Sequence, residues 1–397
     1  MTIHTPTAAP ARSTPSASSW WITGGAVLGD HSFVDRDLAL AEDVIVDAAP
    51  ASARRFDARG LLVVPGLIDI HGDAFERQLM PRPRVAFPLD MALLETDRQV
   101  IASGITTVYH GVTWSWEPGL RGPDMARDLL HAIETLRPRL AAHTRYHLRQ
   151  ETYNLEAEPT ILEWIAAGRL GCVAFNDHMT GTFKVRHRPD KVGKMVERSG
   201  LSPEAFNALV EAVYARKDEV PDSIRRLAAA AKVAGVPVLS HDDMSPDERA
   251  WHRSLGVTIA EFPITEETAA AAAAAGDAIV FGAPNVVRGG SHTGCPTAAE
   301  MVARGHCTVL ASDYYYPALL AAPFRLARDG HATLAHALAL VTRGPAEALG
   351  LSDRGRIALG LQADLALIDP GPDQASPQVV ATFARGRLVH CTDASRL

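Results

Sequence analysis

The chain has 397 residues, of which 47% are hydrophobic and 21% are charged. This composition is typical of a folded globular protein and excludes fibrous and intrinsically disordered classes. The formal charge of −7 gives no basic surface of the kind that nucleic-acid binding requires, whereas the 16 histidines favour metal or proton chemistry.

The first 19 residues are rich in Ser, Thr, Pro and Ala and contain no continuous apolar run. We interpret them as a disordered tail, since a secretory signal needs such a run and a transit peptide would rest on Arg12 alone. No apolar run reaches the ~18–20 residues needed to span a bilayer.

The cysteines show no C-x-x-C spacing and lie at 172, 295, 307 and 391. They suggest neither a disulfide framework nor a structural zinc site, so we expect a cytoplasmic protein. The net charge and the lack of a spanning run lead us to expect neither nucleic-acid nor membrane partners.

Short alternating segments between turn residues predict small β-strands near both ends of the chain. The N-terminal segments are Trp20–Val27, Asp37–Leu40, Val44–Val46 and Leu61–Val64. The C-terminal segments are Gly355–Ile357, Ala363–Ile368 and Val379–Val389, the last of which suits a hairpin that turns at Gly386. We therefore expect residues 20–64 and 352–397 to form one small β-sandwich domain.

Residues 65–351 alternate apolar runs with helical stretches, the pattern of parallel strands joined by crossover helices. The runs are Leu67–Ile70, Thr106–Tyr109, Thr144–Leu148, Cys172–Phe175, Val236–Leu239, Thr258–Glu261, Ala278–Phe281 and Thr308–Leu310. The helical stretches are Met125–Leu136, Pro203–Val213, Ser223–Ala234, Glu266–Ala275, Thr297–Ala303 and Leu334–Leu340. This pattern predicts an α/β fold with a (β/α)₈ barrel, in which all strands end at one face.

Acidic and imidazole side chains follow five of these runs. They are His71 and Asp73 after the first run, Glu151 after the third, His178 after the fourth, His241 after the fifth and Asp313 after the eighth. Any single one of them is more often a cap, a loop hydrogen bonder or a solvated group. Six at one rim predict a metal site, and the mixture of oxygen and imidazole ligands suits two divalent ions, Zn²⁺ or Mn²⁺, with a bridging carboxylate.

Several longer strings are specific enough to indicate a family. They are PGLI at 65–68, H-x-D at 71–73, PRP at 81–83, ASGITTV at 102–108, SHDD at 240–243, AEFP at 260–263, GAPNVVRGGSH at 282–292 and SDYY at 312–315. In these strings the chain resembles the metal-dependent amidohydrolase superfamily, which pairs this barrel with a β-sandwich made from both chain ends. Within the superfamily it looks like the branch of ribose 1-methylphosphonate 5-triphosphate diphosphatases of the carbon–phosphorus lyase pathway.

The resemblance implies hydrolysis of a sugar triphosphate to its 5-phosphate with release of pyrophosphate. Asp313 would then deprotonate the attacking water while the metal ions draw charge from a phosphoryl oxygen. Several cationic or imidazole groups are candidates to hold the anionic substrate: Arg77, Arg82, Arg149, Lys184, Arg288 and His292. Among them we expect Arg288 to contribute most, because Gly289 and Gly290 let backbone amides approach an anion.

Three features depart from that branch. Ala74 stands where the branch has Asn, residues 177–184 replace a Pro-Gly-Gln segment, and an aromatic loop at 110–119 carries Trp114 and Trp116. These tryptophans suit stacking on a planar or sugar ring, or equally a packing or subunit contact. Two alternatives to the diphosphatase therefore stay open: an amidohydrolase for a cyclic amide, lactam or amidine, and a non-catalytic barrel relative. Both enzymatic readings imply a small-molecule substrate, and a homo-oligomer also stays open.

Overall fold

The structure is a computed structural model that describes residues 19–82, 85–290 and 295–397. Residues 1–18 of the predicted tail and the candidate His292 lie outside the described residues. The chain begins with short strands that alternate with tight turns: β1 (Trp20–Thr23), β2 (Ala26–Leu28), β3 (Phe33–Asp35), β4 (Leu38–Ala41), β5 (Val44–Val46), β6 (Arg54–Asp57) and β7 (Leu62–Pro65).

Eight parallel strands follow, and each pairs with the next one along the chain. They are β8 (Leu67–Gly72), β9 (Ile105–Trp114), β10 (His143–Glu151), β11 (Cys172–Asn176), β12 (Val238–His241), β13 (Ile259–Glu261), β14 (Ala278–Gly282) and β15 (Val309–Ala311). The first and last strands meet where Gly72 pairs with Asp313 in parallel. The predicted barrel and all eight of its strands are confirmed, and every strand carboxyl end lies at one rim.

Helices connect these strands. They are α1 (Glu76–Leu79), α2 (Leu89–Ala102), α3 (Pro123–Leu136), α4 (Glu158–Ala166), α5 (Met179–Val185), α6 (Pro189–Ser199), α7 (Pro203–Tyr214), α8 (Val220–Ala234), α9 (Pro246–Ser254), α10 (Glu266–Ala274), α11 (Ala283–Arg288), α12 (Ala298–Ala303), α13 (Ala318–Arg328), α14 (Leu334–Ala339) and α15 (Arg343–Ala348). The six predicted helical stretches are confirmed. No helix in the described ranges has the length and apolar character needed to cross a membrane.

Helix α8 illustrates why these segments are helical. Ile224, Leu227 and Ala231 recur at spacings of three and four and are buried against the barrel. Gly235 ends the helix with a φ of +67°, a left-handed conformation that glycine adopts without steric cost. The next segment can therefore turn back and enter β12.

The C-terminal strands β16 (Leu365–Asp369), β17 (Gln378–Ala384) and β18 (Arg387–Cys391) join the N-terminal strands in a small sandwich. One sheet has the order β5-β4-β1-β6 and the other the order β18-β17-β16-β7-β2-β3. Phe383 lies between the sheets, with its ring centroid 5.3 Å from Trp20 and 5.8 Å from Phe56. The predicted sandwich from both chain ends is thus confirmed, while the domain boundaries at 64/65 and 351/352 stay predictions.

The predictions for the terminal strands differ from the structure in several places. Strands β3 and β6 lie outside the predicted segments. The segment Trp20–Val27 is divided at Gly24, whose φ of +73° turns the chain, so β1 and β2 lie in different sheets. The predicted strand Gly355–Ile357 is wrong, because these residues form a bend and loop. Gly355 there has a φ of +86°, which an extended strand does not allow.

Candidate active site

The carboxyl end of β8 places His71 and Asp73 beside Asp313, which follows β15. Asp313 N–H donates to the His71 carbonyl at 2.9 Å, and Asp73 N–H donates to the Asp313 carbonyl at 2.9 Å. Asp313 has a φ of +54°, which is uncommon for a residue with a side chain. Ligand atoms of the three side chains lie within 4.8 Å of one another. Burial and the Asp73 carboxylate raise the pKa of Asp313 to about 6, so it binds a proton more readily than a solvated Asp does.

A buried carboxylate that the sequence analysis did not select, Asp69, fixes this junction. Its Oδ2 accepts a hydrogen bond from Ser312 Oγ at 2.5 Å, and its Oδ1 accepts one from Ser312 N–H at 2.9 Å. Asp69 is fully buried, and burial raises its pKa. Its hydrogen bonds hold the residue before Asp313 against the first strand.

A second group lies at the ends of β10 and β11. Glu151 Oε1 is 2.7 Å from His178 Nδ1, and Glu151 Oε2 accepts a hydrogen bond from His178 N–H at 3.2 Å. Asn176 Nδ2 also donates to Glu151 Oε1, at 2.9 Å. Burial acts to raise the pKa of Glu151, but the neighbouring His178 outweighs it and the pKa is lowered. The carboxylate is therefore ionised and oriented.

His241 connects the two groups. Its ring centroid lies 5.5 Å from that of His71 and 6.4 Å from that of His178. Asp242, with a φ of +62°, brings its Oδ2 to 3.0 Å from His241 Nδ1 and 3.8 Å from His178 Nε2. The six predicted ligands thus lie in one continuous cluster along the rim, and their role as ligands is a proposal.

Two further residues of this cluster, Glu261 and His147, were missed by the sequence analysis. Glu261 Oε1 lies 2.9 Å from His71 Nδ1, and Glu261 Oε2 lies 4.0 Å from His147 Nε2 and 3.9 Å from His241 Nε2. Burial opposes both charges, but the mutual attraction holds the pKa of Glu261 below its usual range and raises the pKa of His71 to about 9. Burial lowers the pKa of His147 to about 4, so its ring is neutral at pH 7. The sequence did indicate Glu261, because it is the last residue of the sixth predicted strand and therefore lies at the same rim as the other candidates.

The donor set fits a divalent cation. His147 Nε2 and Glu261 Oε2 are buried and have no hydrogen-bond partner within the described part of the chain. Orphaned polar atoms of this kind are costly unless something occupies the space between them. They lie 4.0 Å apart, and an imidazole nitrogen with a carboxylate oxygen is a donor pair that suits Zn²⁺.

A cavity of about 330 Å³ opens beside these residues. Its polar wall includes His71, His241, Asp242, Asp313 and Arg149, and its apolar wall includes Phe262, Pro263, Ile264 and Phe281. A cavity of this volume is in the range of small-molecule sites.

The predicted cationic contacts are distributed unevenly. Arg149 lines the cavity, whereas the side chains of Arg77, Arg82, Lys184 and Arg288 are exposed. Arg288 Nη1 donates to the Tyr314 hydroxyl at 3.2 Å, and the Arg77 guanidinium lies 6.0 Å from the Tyr314 ring centroid. Tyr314 itself lines the cavity, so these two arginines lie at its edge. The expectation that Arg288 contributes most is therefore not supported by its position.

The predicted stacking role of Trp114 is wrong. Its side chain is 2% exposed and packs against Trp164 of α4, with ring centroids 5.0 Å apart. Trp116 is half-buried and packs against Phe206 of α7 at 5.8 Å. Neither ring lines the cavity beside His71. The packing interpretation of the aromatic loop is the one that the structure bears out.

Comparisons with known proteins agree with this architecture. A profile of the amidohydrolase family matches residues 210–390. The chain is 36% identical over 321 residues to alpha-D-ribose 1-methylphosphonate 5-triphosphate diphosphatase of Escherichia coli, covering 78% of this chain and 84% of that protein.

Solved structures share the fold at lower identity. An amidohydrolase from a Sargasso Sea sample superposes with a TM-score of 0.64 and 17% identity, over 94% of this chain and 93% of that chain. Dihydropyrimidinase of Brevibacillus agri superposes with a TM-score of 0.55 and 14% identity, over 94% of this chain and 95% of that chain. At these identities the two structures support the fold alone.

Proposed function

The chain belongs to the amidohydrolase family and is a hydrolase, and from this premise we propose that it is a metal-dependent diphosphatase. The proposed reaction cleaves ribose 1-methylphosphonate 5-triphosphate to the 5-phosphate and pyrophosphate. The observation that carries the proposal is the 36% identity to the Escherichia coli diphosphatase over 84% of that protein. The cavity supports it, because ionised carboxylates and imidazoles adjoin a buried arginine there.

We assign the metal to the buried cluster. A first divalent ion would be held by His71, Asp73, His147, His241, Glu261 and Asp313. Glu151 and His178 with Asp242 would contribute to a second, with Zn²⁺ or Mn²⁺ as the candidates. When bound, such an ion supplies a Lewis acid for the phosphoryl oxygen and makes water acidic near neutral pH.

The residues of the chain then have separable roles. Asp313 faces the cavity and accepts the proton of the attacking water at its carboxylate, for which its raised pKa suits it. Glu261 Oε1 also orients His71, and Asp69 holds the segment before Asp313 in place. Phe262 and Phe281 form an apolar wall of the cavity beside the reacting group.

The alternative of a cyclic amide substrate loses its main support. It relied on Trp114 and Trp116 to hold an uncharged ring, and both side chains pack within the protein. The likeness to dihydropyrimidinase concerns the fold. A cytoplasmic location and a homo-oligomeric state stay predictions.

The proposal is tested by the products of a sugar 5-triphosphate. Metal-loaded protein should convert it to the sugar 5-phosphate and pyrophosphate, measured by phosphorus NMR. Protein stripped with a chelator should release neither product, and adding Mn²⁺ or Zn²⁺ back should restore both. Release of orthophosphate with a sugar diphosphate would contradict the proposed position of cleavage.

A further inference from the structure

Arg149 is a buried cation that forms no ion pair with any residue in the described part of the chain. Arg149 is 8% exposed, and its Nε has no hydrogen-bond partner among the described residues. On β10 it lies two residues from both His147 and Glu151, so all three side chains point to the same, inner side of the barrel. The guanidinium therefore faces the cavity that His71 and Asp313 line.

Another buried arginine, Arg249, is paired with carboxylates of the same protein. Arg249 is 2% exposed, and its Nη1 donates to Asp243 Oδ2 at 3.0 Å. Its Nε also lies 3.4 Å from Asp277 Oδ2. A guanidinium stays protonated in proteins, so a buried one is costly unless an anion or several acceptors compensate it. Arg249 is compensated from within the fold, whereas no side chain in the described ranges forms an ion pair with Arg149.

We propose that Arg149 binds an oxyanion of the substrate and thereby selects anionic over neutral substrates. The planar guanidinium presents two parallel N–H groups, which match two oxygens of a phosphoryl group. The apolar wall of Phe262 and Phe281 strengthens the contact, because charges attract more strongly where water is excluded. The identity of the anion as a phosphoric anhydride rests on the proposed function, while the anion preference rests on Arg149 itself.

The test uses inorganic pyrophosphate as the probe and isothermal titration calorimetry as the measurement, on metal-loaded and on chelator-treated protein. Arg149→Met should weaken pyrophosphate binding at least ~10-fold in the metal-loaded protein. Arg149→Lys should weaken it less, because Lys keeps the charge but lacks the planar pair of N–H donors. Arg169→Met is the matched control, since Arg169 pairs with Glu134 at 2.7 Å on the outside of the barrel. It should bind pyrophosphate as the wild type does.

A second measurement separates binding from a structural role. Because Arg149→Met removes a buried charge that has no ion-pair partner among the described residues, the unfolding midpoint of the ligand-free variant should equal or exceed that of the wild type. A lower midpoint together with unchanged pyrophosphate affinity would overturn the inference. So would a wild type that does not bind pyrophosphate.

Failure of the proposed function gives a different result. If the wild type binds pyrophosphate through Arg149 but does not hydrolyse the sugar triphosphate, the diphosphatase proposal fails and the anion site stands. If Arg149→Met hydrolyses the triphosphate with an unchanged kcat/KM, the diphosphatase proposal stands and the role of Arg149 is refuted.

Discussion

Glu261 and His71 join the sixth and first strands of the barrel through a contact of 2.9 Å between Glu261 Oε1 and His71 Nδ1. The carboxylate orients the imidazole, as partners of metal-binding histidines commonly do. Its second oxygen lies about as far from His241 as from His147, at 3.9 and 4.0 Å. Glu261 is therefore central to the cluster that we assign to the metal.

The first prediction concerns Glu261→Gln, which keeps the volume but removes the negative charge. Metal affinity should fall by ~10–100-fold, as it does when groups that support a metal site are replaced. Metal content per chain, measured by plasma mass spectrometry on folded protein, checks this. Glu134→Gln, at a surface ion pair with Arg169, is the control and should leave the metal content unchanged. Equal metal content in the two variants would remove Glu261 from the site.

The second prediction is that Asp313→Asn retains the fold and at least one metal ion but lowers kcat by ~10²–10⁴-fold. An amide cannot accept the proton of the attacking water, and general-base catalysis contributes about this factor. Steady-state kinetics and metal analysis on the same preparation provide the readouts. Turnover at the wild-type rate would assign the base to another residue.

The third prediction separates packing from substrate contact at Trp114. Trp114→Ala should lower the free energy of unfolding by ~3–5 kcal/mol, because it leaves a cavity against Trp164. The kcat/KM of the folded fraction should stay within a factor of a few of the wild type. Urea unfolding monitored by circular dichroism, together with kinetics, measures both quantities. A large rise in KM without loss of stability would restore the stacking role.

The fourth prediction concerns the small sandwich. Deleting residues 380–397 removes β18 and most of β17, including the fully buried Phe383. The truncated chain should aggregate or unfold although every proposed ligand is intact, because the core around Trp20 and Phe56 becomes exposed. Deleting only 394–397 is the control and should leave a folded enzyme. A soluble, active 380–397 deletion would contradict the role assigned to these strands.

The barrel was predictable because each of its strands is a short apolar run between helical stretches. The candidate ligands were predictable for the same reason, since a residue that ends a parallel strand lies at the common rim. Glu261 met the same criterion but was read only as part of a family string. His147 was harder to recognise, because it lies within β10 and faces the site only through the alternation of the strand.

The sequence left the role of Trp114 open because β9 is longer than its apolar run suggested. The strand continues to Trp114 instead of ending at Tyr109. A Cβ at Gly111 would lie 3.1 Å from His71 Nε2, so that residue faces the barrel interior. Alternation then directs Trp114 outward onto α4. The contact of Trp116 with Phe206 joins segments far apart in the chain, which local patterns do not encode.

The most direct test of the central claim compares two product assays on the same metal-loaded protein. One measures pyrophosphate released from a ribose 5-triphosphate, and the other measures ammonia or acid released from a panel of cyclic amides. We predict rapid pyrophosphate release that a chelator abolishes, with amide hydrolysis at background. Pyrophosphate release at background together with robust amide hydrolysis would contradict the diphosphatase account.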